Sequence, residues 1–271
     1  MRKALIATCL ALALPLVLPA QAKSSPDPAL TAVVASPARS PQFSARDGAR
    51  KPAEVLTFAG LKPGMTVVEV SPGGGYWTEI LAPYLAKQGT YYTAITPRTA
   101  SERAATAADN WAKKLETNAA SWGSVKVSDF GKGVSKVAPA GSADLVLTFR
   151  NVHNWMAAGF AEEAFKAFYD ALEPGGLLVV EEHRAPTDQP QDPKAASGYV
   201  REDYTKDLAK QAGFEFVESS EILANPKDTK NWEKGVWTLP PTLALGDKDR
   251  EKYVAIGEAD NFLLKFRKPK K

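Results

Sequence analysis

The pattern of residues 65–86 predicts a strand, a glycine loop and a helix in succession, and this segment constrains the fold more than any other part of the chain. Residues 65–70 form a β-branched, apolar run of strand length in which Glu69 is the single charge. Ser71 and Pro72 lead into three consecutive glycines, and apolar residues then recur at helical spacing. In an open α/β sheet, such a loop lets a ligand approach the backbone at the carboxyl end of the strand. The alternative is a tight turn that serves packing alone.

The rest of the chain alternates between strand-like and helix-like segments. Apolar or β-branched runs predict strands at residues 91–95, 125–127, 143–149, 177–180, 214–217 and 261–266. Helical spacing predicts helices at residues 52–59, 76–86, 99–115, 160–172 and 204–212. No internal repeat is evident, so this order predicts one α/β domain with a largely parallel sheet. Residues 225–260 give no clear pattern.

The first 22 residues have the features of a secretory signal peptide. Arg2 and Lys3 precede an apolar run at residues 4–18, and Ala20 and Ala22 supply the small residues of a cleavage site. The run is shorter than the roughly 18–20 residues that a membrane-spanning helix needs. We therefore expect export to the periplasm and no membrane attachment after cleavage. A Pro-, Ser- and Ala-rich leader at residues 23–41 and one domain at residues 42–271 would follow.

Composition narrows the possible partners. The formal net charge of +3 becomes +1 once Arg2 and Lys3 are removed, which disfavours a nucleic-acid partner. Removal of residues 1–22 also takes the single cysteine, so disulfides and a thiol nucleophile are excluded from the mature chain. With two histidines and no other thiol, a His/Cys metal site is not expected, although an all-carboxylate site stays open.

Two familiar glycine-loop sites fit poorly. A dinucleotide fingerprint needs a third small residue where Trp77 or Thr78 stands, and an acid at the end of the second strand, where Thr96 stands. A phosphate-binding P-loop needs Gly-Lys-Ser/Thr after the glycines, and the chain has none there. Nicotinamide and nucleoside-triphosphate sites are therefore disfavoured.

Several motifs lie in register along the chain. They are Leu61-Lys62-Pro63-Gly64-Met65, Glu69-Val70-Ser71-Pro72-Gly73-Gly74-Gly75-Tyr76-Trp77 with Thr78-Glu79-Ile80-Leu81, Asp129, residues 144–154, Leu172-Glu173-Pro174-Gly175-Gly176 and residues 262–269. In these motifs the sequence resembles the class I S-adenosylmethionine-dependent methyltransferases, and specifically the exported predicted methyltransferases with Pro-Gly-Gly-Gly before an aromatic pair. The resemblance implies a Rossmann-like α/β fold with a seven-stranded, largely parallel sheet, helices on both faces and an antiparallel last strand.

The resemblance also implies how S-adenosyl-L-methionine would be bound. Glu69 would face the amino group of the methionine moiety, and the backbone of Ser71, Gly73, Gly74 and Gly75 would line the methionine and the ribose. Asp129 would accept from the adenine amino group, Phe130 would flank the adenine ring, and Thr96 stands where the family's acid pairs with the ribose hydroxyls. Arg150 and Asn151 complete the expected set of cofactor contacts. Alternatively, Glu69 caps the following helix and Asp129 is a simple loop acid.

Candidate acceptor-side residues follow the fourth and fifth strands. Methyl transfer from a sulfonium is an in-line displacement, so alignment matters most and a base is needed only for a protonated acceptor. His153 is the first candidate base and His183 the second, since a histidine titrates near neutrality. Each has a structural alternative, as does Arg150, which could form an ion pair or orient an acceptor carboxylate. Four aromatic residues could either form the walls of a pocket or belong to the core: Trp155, Tyr199, Trp232 and Trp237.

The sequence leaves two functions in competition. The first is an exported methyltransferase that acts on a small-molecule acceptor. The second, which Thr96 in place of an acid favours, is a catalytically inactive methyltransferase-fold binding protein. The acceptor and the oligomeric state are not specified by the sequence.

Overall fold

The computed structural model describes residues 25–270, so the predicted signal peptide lies outside the described residues. Within residues 25–270, eight strands make one sheet. They are β1 (Thr66–Val70), β2 (Thr90–Ile95), β3 (Val125–Gly131), β4 (Val134–Ser135), β5 (Ala143–Phe149), β6 (Leu172–His183), β7 (Glu215–Ser220) and β8 (Asn261–Arg267). Among the described residues, no helix is both long and apolar enough to cross a membrane.

In the described part of the chain, ten α-helices and two short 3₁₀ segments surround the sheet. The helices are α1 (Pro28–Val34), α2 (Pro41–Ser44), α3 (Asp47–Arg50), α4 (Pro52–Ala59), α5 (Thr78–Leu85), α6 (Glu102–Trp122), α7 (Val152–Ala158), α8 (Ala161–Ala171), α9 (Glu202–Ala212) and α10 (Arg250–Ile256). The 3₁₀ segments are Arg98–Ala100 and Gly235–Thr238. All five predicted helices are confirmed, although α5 begins later and α6 ends later than predicted.

The strand order is β4-β3-β2-β1-β5-β6-β8-β7. β1 pairs in parallel with β2 and with β5, and β8 runs antiparallel to both β6 and β7. The predicted α/β fold, its parallel character and the antiparallel last strand are therefore confirmed. The predicted number of seven strands is one too few, because the two-residue strand β4 turns back on β3 through Lys132 and Gly133. A strand of two residues carries no periodicity that a sequence could display.

Apolar side chains of the parallel strands alternate between two helical layers. Val67 of β1 packs in a cluster with α4 and α5, whereas its neighbour Val68 packs in a cluster with α8 and α9. Both valines are fully buried. Each buried side chain of this size contributes roughly 1.5–3 kcal/mol. The helices thus cover both faces of the sheet, and its strand ends are left to form the site.

The residues before α4 are fastened to α5. Leu30 of α1 is buried in the core, and the Tyr84 hydroxyl of α5 donates to Asp27 at 2.5 Å. The backbone N–H and hydroxyl of Ser40 donate to Glu79 at 2.8 and 2.6 Å. These contacts carry α2 and α3 to the carboxyl ends of the strands.

Residues 225–260, for which the sequence gives no pattern, form a small satellite core beside the sheet. Asp228 organises it by accepting hydrogen bonds from the Trp232 indole at 2.7 Å, the Tyr199 hydroxyl at 2.9 Å and the backbone of Asp260 at 2.8 Å. Val236, in the 3₁₀ segment, donates its backbone N–H to Ser197 at 2.9 Å. The segment thereby lies over the carboxyl ends of β5 and β6.

Candidate functional site

Two cavities open where the strand order reverses, at the carboxyl ends of β1 and β5. Cavity A, of about 290 Å³, is lined by the glycine loop, Arg50, His153, His183 and Trp237, among other residues. Cavity B, of about 540 Å³, is lined by Thr96, Phe130 and Trp155, among other residues. Ser71 and Asn151 line both cavities. One elongated ligand could therefore reach from cavity B past Ser71 into cavity A.

The backbone after β1 is shaped for close approach. Gly73 has φ +58°, and a Cβ built there would meet nothing within 4 Å. Gly74 also lines cavity A, whereas a Cβ at Gly75 would meet Trp111 at 3.3 Å and Lys114 at 3.1 Å. Gly73 is therefore open toward a ligand, and Gly75 is required by packing.

Two non-glycine residues flank the cavities with left-handed backbones. Ser71 has φ +54° and Arg150 has φ +62°, a region that costs about 1–2 kcal/mol for a residue with a Cβ. Both are held by strong backbone bonds, from Ser71 to Ala94 at 2.8 Å and from Arg150 to Glu181 at 2.7 Å. Strain kept at two strand ends around one crevice is typical of a functional site.

Glu69 lines cavity A and is 1% exposed. The hydroxyls of Thr78, at 2.7 Å, and Tyr91 both donate to its Oε2. Burial raises the pKa of Glu69 to about 7, against the effect of these two hydrogen bonds. Since neither bond uses Oε1, that oxygen is the one left for a ligand cation.

His153, at the start of α7, is joined to Glu182 of β6. Its Nδ1 lies 3.0 Å from Glu182 Oε1, and its backbone N–H donates to Oε2 at 3.1 Å. Burial opposes the charged imidazole, but the Glu182 carboxylate outweighs it and raises the pKa of His153 above its ordinary value. Because the carboxylate holds the Nδ1 proton, Nε2 is the nitrogen left to accept a proton from a ligand in cavity A.

His183 is the contrasting histidine. Its Nδ1 bonds the side-chain oxygen of Asn261 at 2.7 Å, and burial lowers its pKa to about 3, against the pull of Glu182. His183 is therefore neutral near pH 7. The rings of His153 and His183 lie 5.5 Å apart, so a neutral and a chargeable imidazole line the same wall.

The two histidines and Glu182 also bring candidate metal-ligand atoms within 4.8 Å of one another. Glu182, however, already accepts hydrogen bonds from His153 and from the His183 backbone at 2.8 Å. The Arg150 cation lies close enough to act on both imidazoles, and its charge would also repel a divalent cation held between them. The arrangement suits proton transfer better than a divalent cation.

Three arginines also line cavity A. Arg46 donates to Glu258 at 2.7 and 2.9 Å, and Arg150 donates to the same carboxylate at 2.6 Å. Despite its burial, Glu258 has its pKa lowered to about 2 by these arginines. Arg150 also approaches the buried Glu181 at 3.7 Å, so it has the ion pairs that its structural alternative requires.

Cavity B holds four of the predicted cofactor residues. Thr96 is exposed at its rim, and Phe130 is buried against Trp155 at a ring distance of 5.3 Å. Asn151 donates its side-chain amide toward the carbonyls of Val70 and Phe149, both at 3.2 Å, and so ties β1 to β5 between the cavities. Ser71 is the fourth. Asp129 is exposed and does not line either cavity.

Most of the predicted set is thus gathered around one crevice, but reasoning from the sequence missed several of its members. Arg50 and the role of Glu182 as partner of His153 were not predicted. Arg46 and Arg50 are four residues apart, a spacing that places both on one face of a helix, and this was the available signal. Of the four aromatic candidates, Trp237 and Trp155 line cavities, whereas Tyr199 and Trp232 belong to the satellite core.

Comparison with known proteins agrees with this geometry. A family model described as a methyltransferase domain matches residues 44–219. Comparison with curated proteins finds no match. The fold is similar to that of a SAM-dependent methyltransferase from Aquifex aeolicus, with a TM-score of 0.54 and 17% identity over 83% of this chain and 93% of that one.

Two further solved structures are similar at the level of the fold. A candidate sarcosine dimethylglycine methyltransferase from Galdieria sulphuraria has a TM-score of 0.55 and 11% identity, over 84% of this chain and 88% of that one. The [4+2]-cyclase SpnF has a TM-score of 0.53 and 17% identity, over 87% and 85%. The domain match covers well over half of the sequence and includes both cavities' strand ends, so the chain belongs to the methyltransferase domain family.

Proposed function

We propose that this protein is a methyltransferase that uses S-adenosyl-L-methionine and methylates a small molecule bound in cavity A. The observation that carries the proposal is the pair of cavities joined at Ser71 and Asn151, beside the open backbone of Gly73. We also propose that residues 1–22 direct export to the periplasm, which rests on the sequence pattern alone.

The residues present fit the cofactor. Phe130, Trp155 and Phe160 give cavity B aromatic walls suited to an adenine ring, and Thr96 offers a hydroxyl to the ribose. The backbone of the glycine loop leads into cavity A, where the Glu69 carboxylate can accept from an ammonium group. Asp129 is exposed and lines neither cavity, so its contact with the adenine amino group stays a prediction.

When bound, the cofactor supplies an electrophilic methyl group on a sulfonium. The chain's own task is to hold the acceptor in line and to exclude water, for which Trp77, Phe149 and Trp237 provide aromatic walls. His153 Nε2 would take the proton of a hydroxyl or ammonium acceptor. Glu182 fixes the Nδ1–H tautomer and stabilises the imidazolium that forms.

Titration calorimetry with S-adenosylmethionine and S-adenosylhomocysteine tests the proposal. Wild-type protein should bind both, and Gly73→Ala should weaken binding at least tenfold because the new methyl group enters the ligand's space. Gly141→Ala is the matched control: Gly141 has φ +65°, an equally open Cβ position and no contact with either cavity. No heat from the wild type at millimolar ligand would contradict the proposal.

The exposed Thr96 favours a second candidate function, that of a binding protein with the methyltransferase fold that transfers no methyl group. A hydroxyl bonds ribose more weakly than a carboxylate does. Release of S-adenosylhomocysteine from S-adenosylmethionine in the presence of a low-molecular-weight metabolite extract separates the two. Tight binding without any release would favour the binding protein.

A further inference from the structure

We propose that Arg50 forms a carboxylate-binding site in the wall of cavity A. The inference rests on the proposed function for the identity of the ligand, but the site itself rests on the side chain's surroundings. Arg50 ends α3, lines cavity A and is 6% exposed. Its Nε is buried without a hydrogen-bond partner, and its ion pair with Glu181 spans 3.6 Å, outside hydrogen-bond range.

Among the described residues, the other arginines near this crevice are bonded and Arg50 is not. Arg39 donates to both oxygens of Asp47, and Arg46 and Arg150 donate to Glu258. A guanidinium has five N–H donors, and a buried cation that leaves them unused is strongly unfavourable. A ligand that accepts these hydrogen bonds removes that penalty, so the site is poised to bind one.

Aromatic rings hold the guanidinium in place without using its donors. The Arg50 guanidinium carbon lies 4.4 Å from the centre of the Tyr76 ring and 5.1 Å from that of Trp77. Both rings belong to the segment that follows the glycine loop, and both line cavity A. Contact with a ring face engages the π electrons, so the N–H groups stay available to an acceptor.

The local charges call for one more anion. Arg46, Arg50 and Arg150 form ion pairs with two carboxylates, those of Glu258 and Glu181. The Glu69 carboxyl also interacts with Arg50, but burial raises its pKa to about 7, so near neutral pH it offsets the third positive charge only in part. Burial and, to a smaller extent, the charge of the nearby Arg150 lower the pKa of Arg50 to about 10. The lowered pKa is consistent with a positive charge that the neighbouring carboxylates compensate only in part. A carboxylate carries one charge and matches the planar fork of a guanidinium, so it is the ligand group that fits.

Two ligands could supply that carboxylate. One is the amino-acid end of the cofactor, whose ammonium would meet Glu69 while its carboxylate meets Arg50. The other is an acidic acceptor. The chemistry at Arg50 is the same in both cases, and the experiment separates the two sources.

The test compares Arg50→Gln/Glu181→Gln with Glu181→Gln alone. Removing both members of a buried pair disturbs folding less than removing one, and Glu181 does not line the cavity. S-adenosylhomocysteine is measured against 5′-methylthioadenosine, which keeps the adenosine and the sulfur but lacks the amino acid. If the double variant binds S-adenosylhomocysteine at least tenfold more weakly than Glu181→Gln does, while both bind methylthioadenosine with the same affinity, the cofactor carboxylate lies on Arg50.

A second arm uses benzoate, a planar monocarboxylate, as the probe of an acceptor site. Benzoate should bind to the S-adenosylhomocysteine complex of Glu181→Gln. If its affinity for the corresponding complex of the double variant is at least tenfold lower, an acceptor carboxylate lies on Arg50. Equal affinities of both proteins for all three ligands would overturn the inference and leave the proposed function standing. If neither S-adenosylhomocysteine nor methylthioadenosine binds the wild type, the proposed function fails. Benzoate binding to the ligand-free proteins then tests the carboxylate site alone: weaker binding to the double variant than to Glu181→Gln supports it, and equal binding overturns it. Thermal unfolding checks that both variants are folded.

Discussion

Replacing Glu69 with Gln should stabilise the ligand-free protein at alkaline pH and have little effect at acidic pH. The carboxyl group titrates near its ordinary value of 4.5 in the unfolded chain but at about 7 in the folded protein, because burial penalises the carboxylate. Between these two values the folded protein keeps a proton that the unfolded chain has released, so its stability falls as the pH rises.

The difference between the two pKa values, at about 1.4 kcal/mol per pH unit, corresponds to about 3 kcal/mol above pH 7. Gln removes this penalty without losing contacts, since the hydroxyls of Thr78 and Tyr91 both donate to one oxygen. An amide oxygen can accept both bonds while its NH₂ group faces cavity A. For a domain of this size the gain corresponds to roughly 6–12 °C in Tm.

Urea and thermal unfolding of the wild type and Glu69→Gln at pH 5 and pH 8.5 measure the effect. Glu258→Gln serves as the control, because the pKa of Glu258, about 2, keeps that carboxylate ionised at both pH values. The control should be destabilised by similar amounts at pH 5 and pH 8.5. A stability difference between Glu69→Gln and the wild type that is the same at both pH values would refute the reasoning.

Three further results are expected. In an NMR titration of the chain's two imidazoles, His153 should have a pKa above the ordinary value of a histidine, and His183 should stay neutral. Glu182→Gln should lower the pKa of His153, because it removes the neighbouring carboxylate. An unchanged pKa of His153 in this variant would show that the carboxylate is not its partner. Gly235→Ala should destabilise the protein by about 2–4 kcal/mol in urea unfolding, because the new Cβ would lie 2.0 Å from a backbone oxygen; a neutral effect would contradict the packing of the satellite core. Thr96→Asp should tighten S-adenosylhomocysteine binding about fivefold in calorimetry, as about 1 kcal/mol separates charged from neutral hydrogen bonds, whereas weaker binding would place the ribose elsewhere.

The fold was largely readable from the sequence because its strands are buried on both faces. The apolar runs at residues 143–149 and 66–70 are typical of central strands, and the glycines after β1 mark the turn that leads into α5. The candidate site was readable where it follows those strands, as with Glu69 and His153. These residues are placed by chain order alone.

The remaining site residues depend on contacts between distant parts of the chain. Arg50 reaches cavity A because Ser40 and its neighbours fasten the N-terminal helices to α5, a pairing 39 positions apart. Glu182 meets His153 because β5 and β6 are adjacent and α7 begins directly after β5. No helix was predicted at residues 152–158, where α7 stands, so the backbone bond between His153 and Glu182 could not be anticipated.

The connection between β7 and β8 has a consequence for how such a protein could diversify. It lines cavity A through Trp237, is fastened by the Asp228 hydrogen bonds and contributes no strand to the sheet. Substitutions in this connection can reshape cavity A while cavity B, whose lining residues all lie before the connection, keeps its form. If the proposed function holds, selectivity for the methylated molecule can thus evolve separately from recognition of the nucleoside.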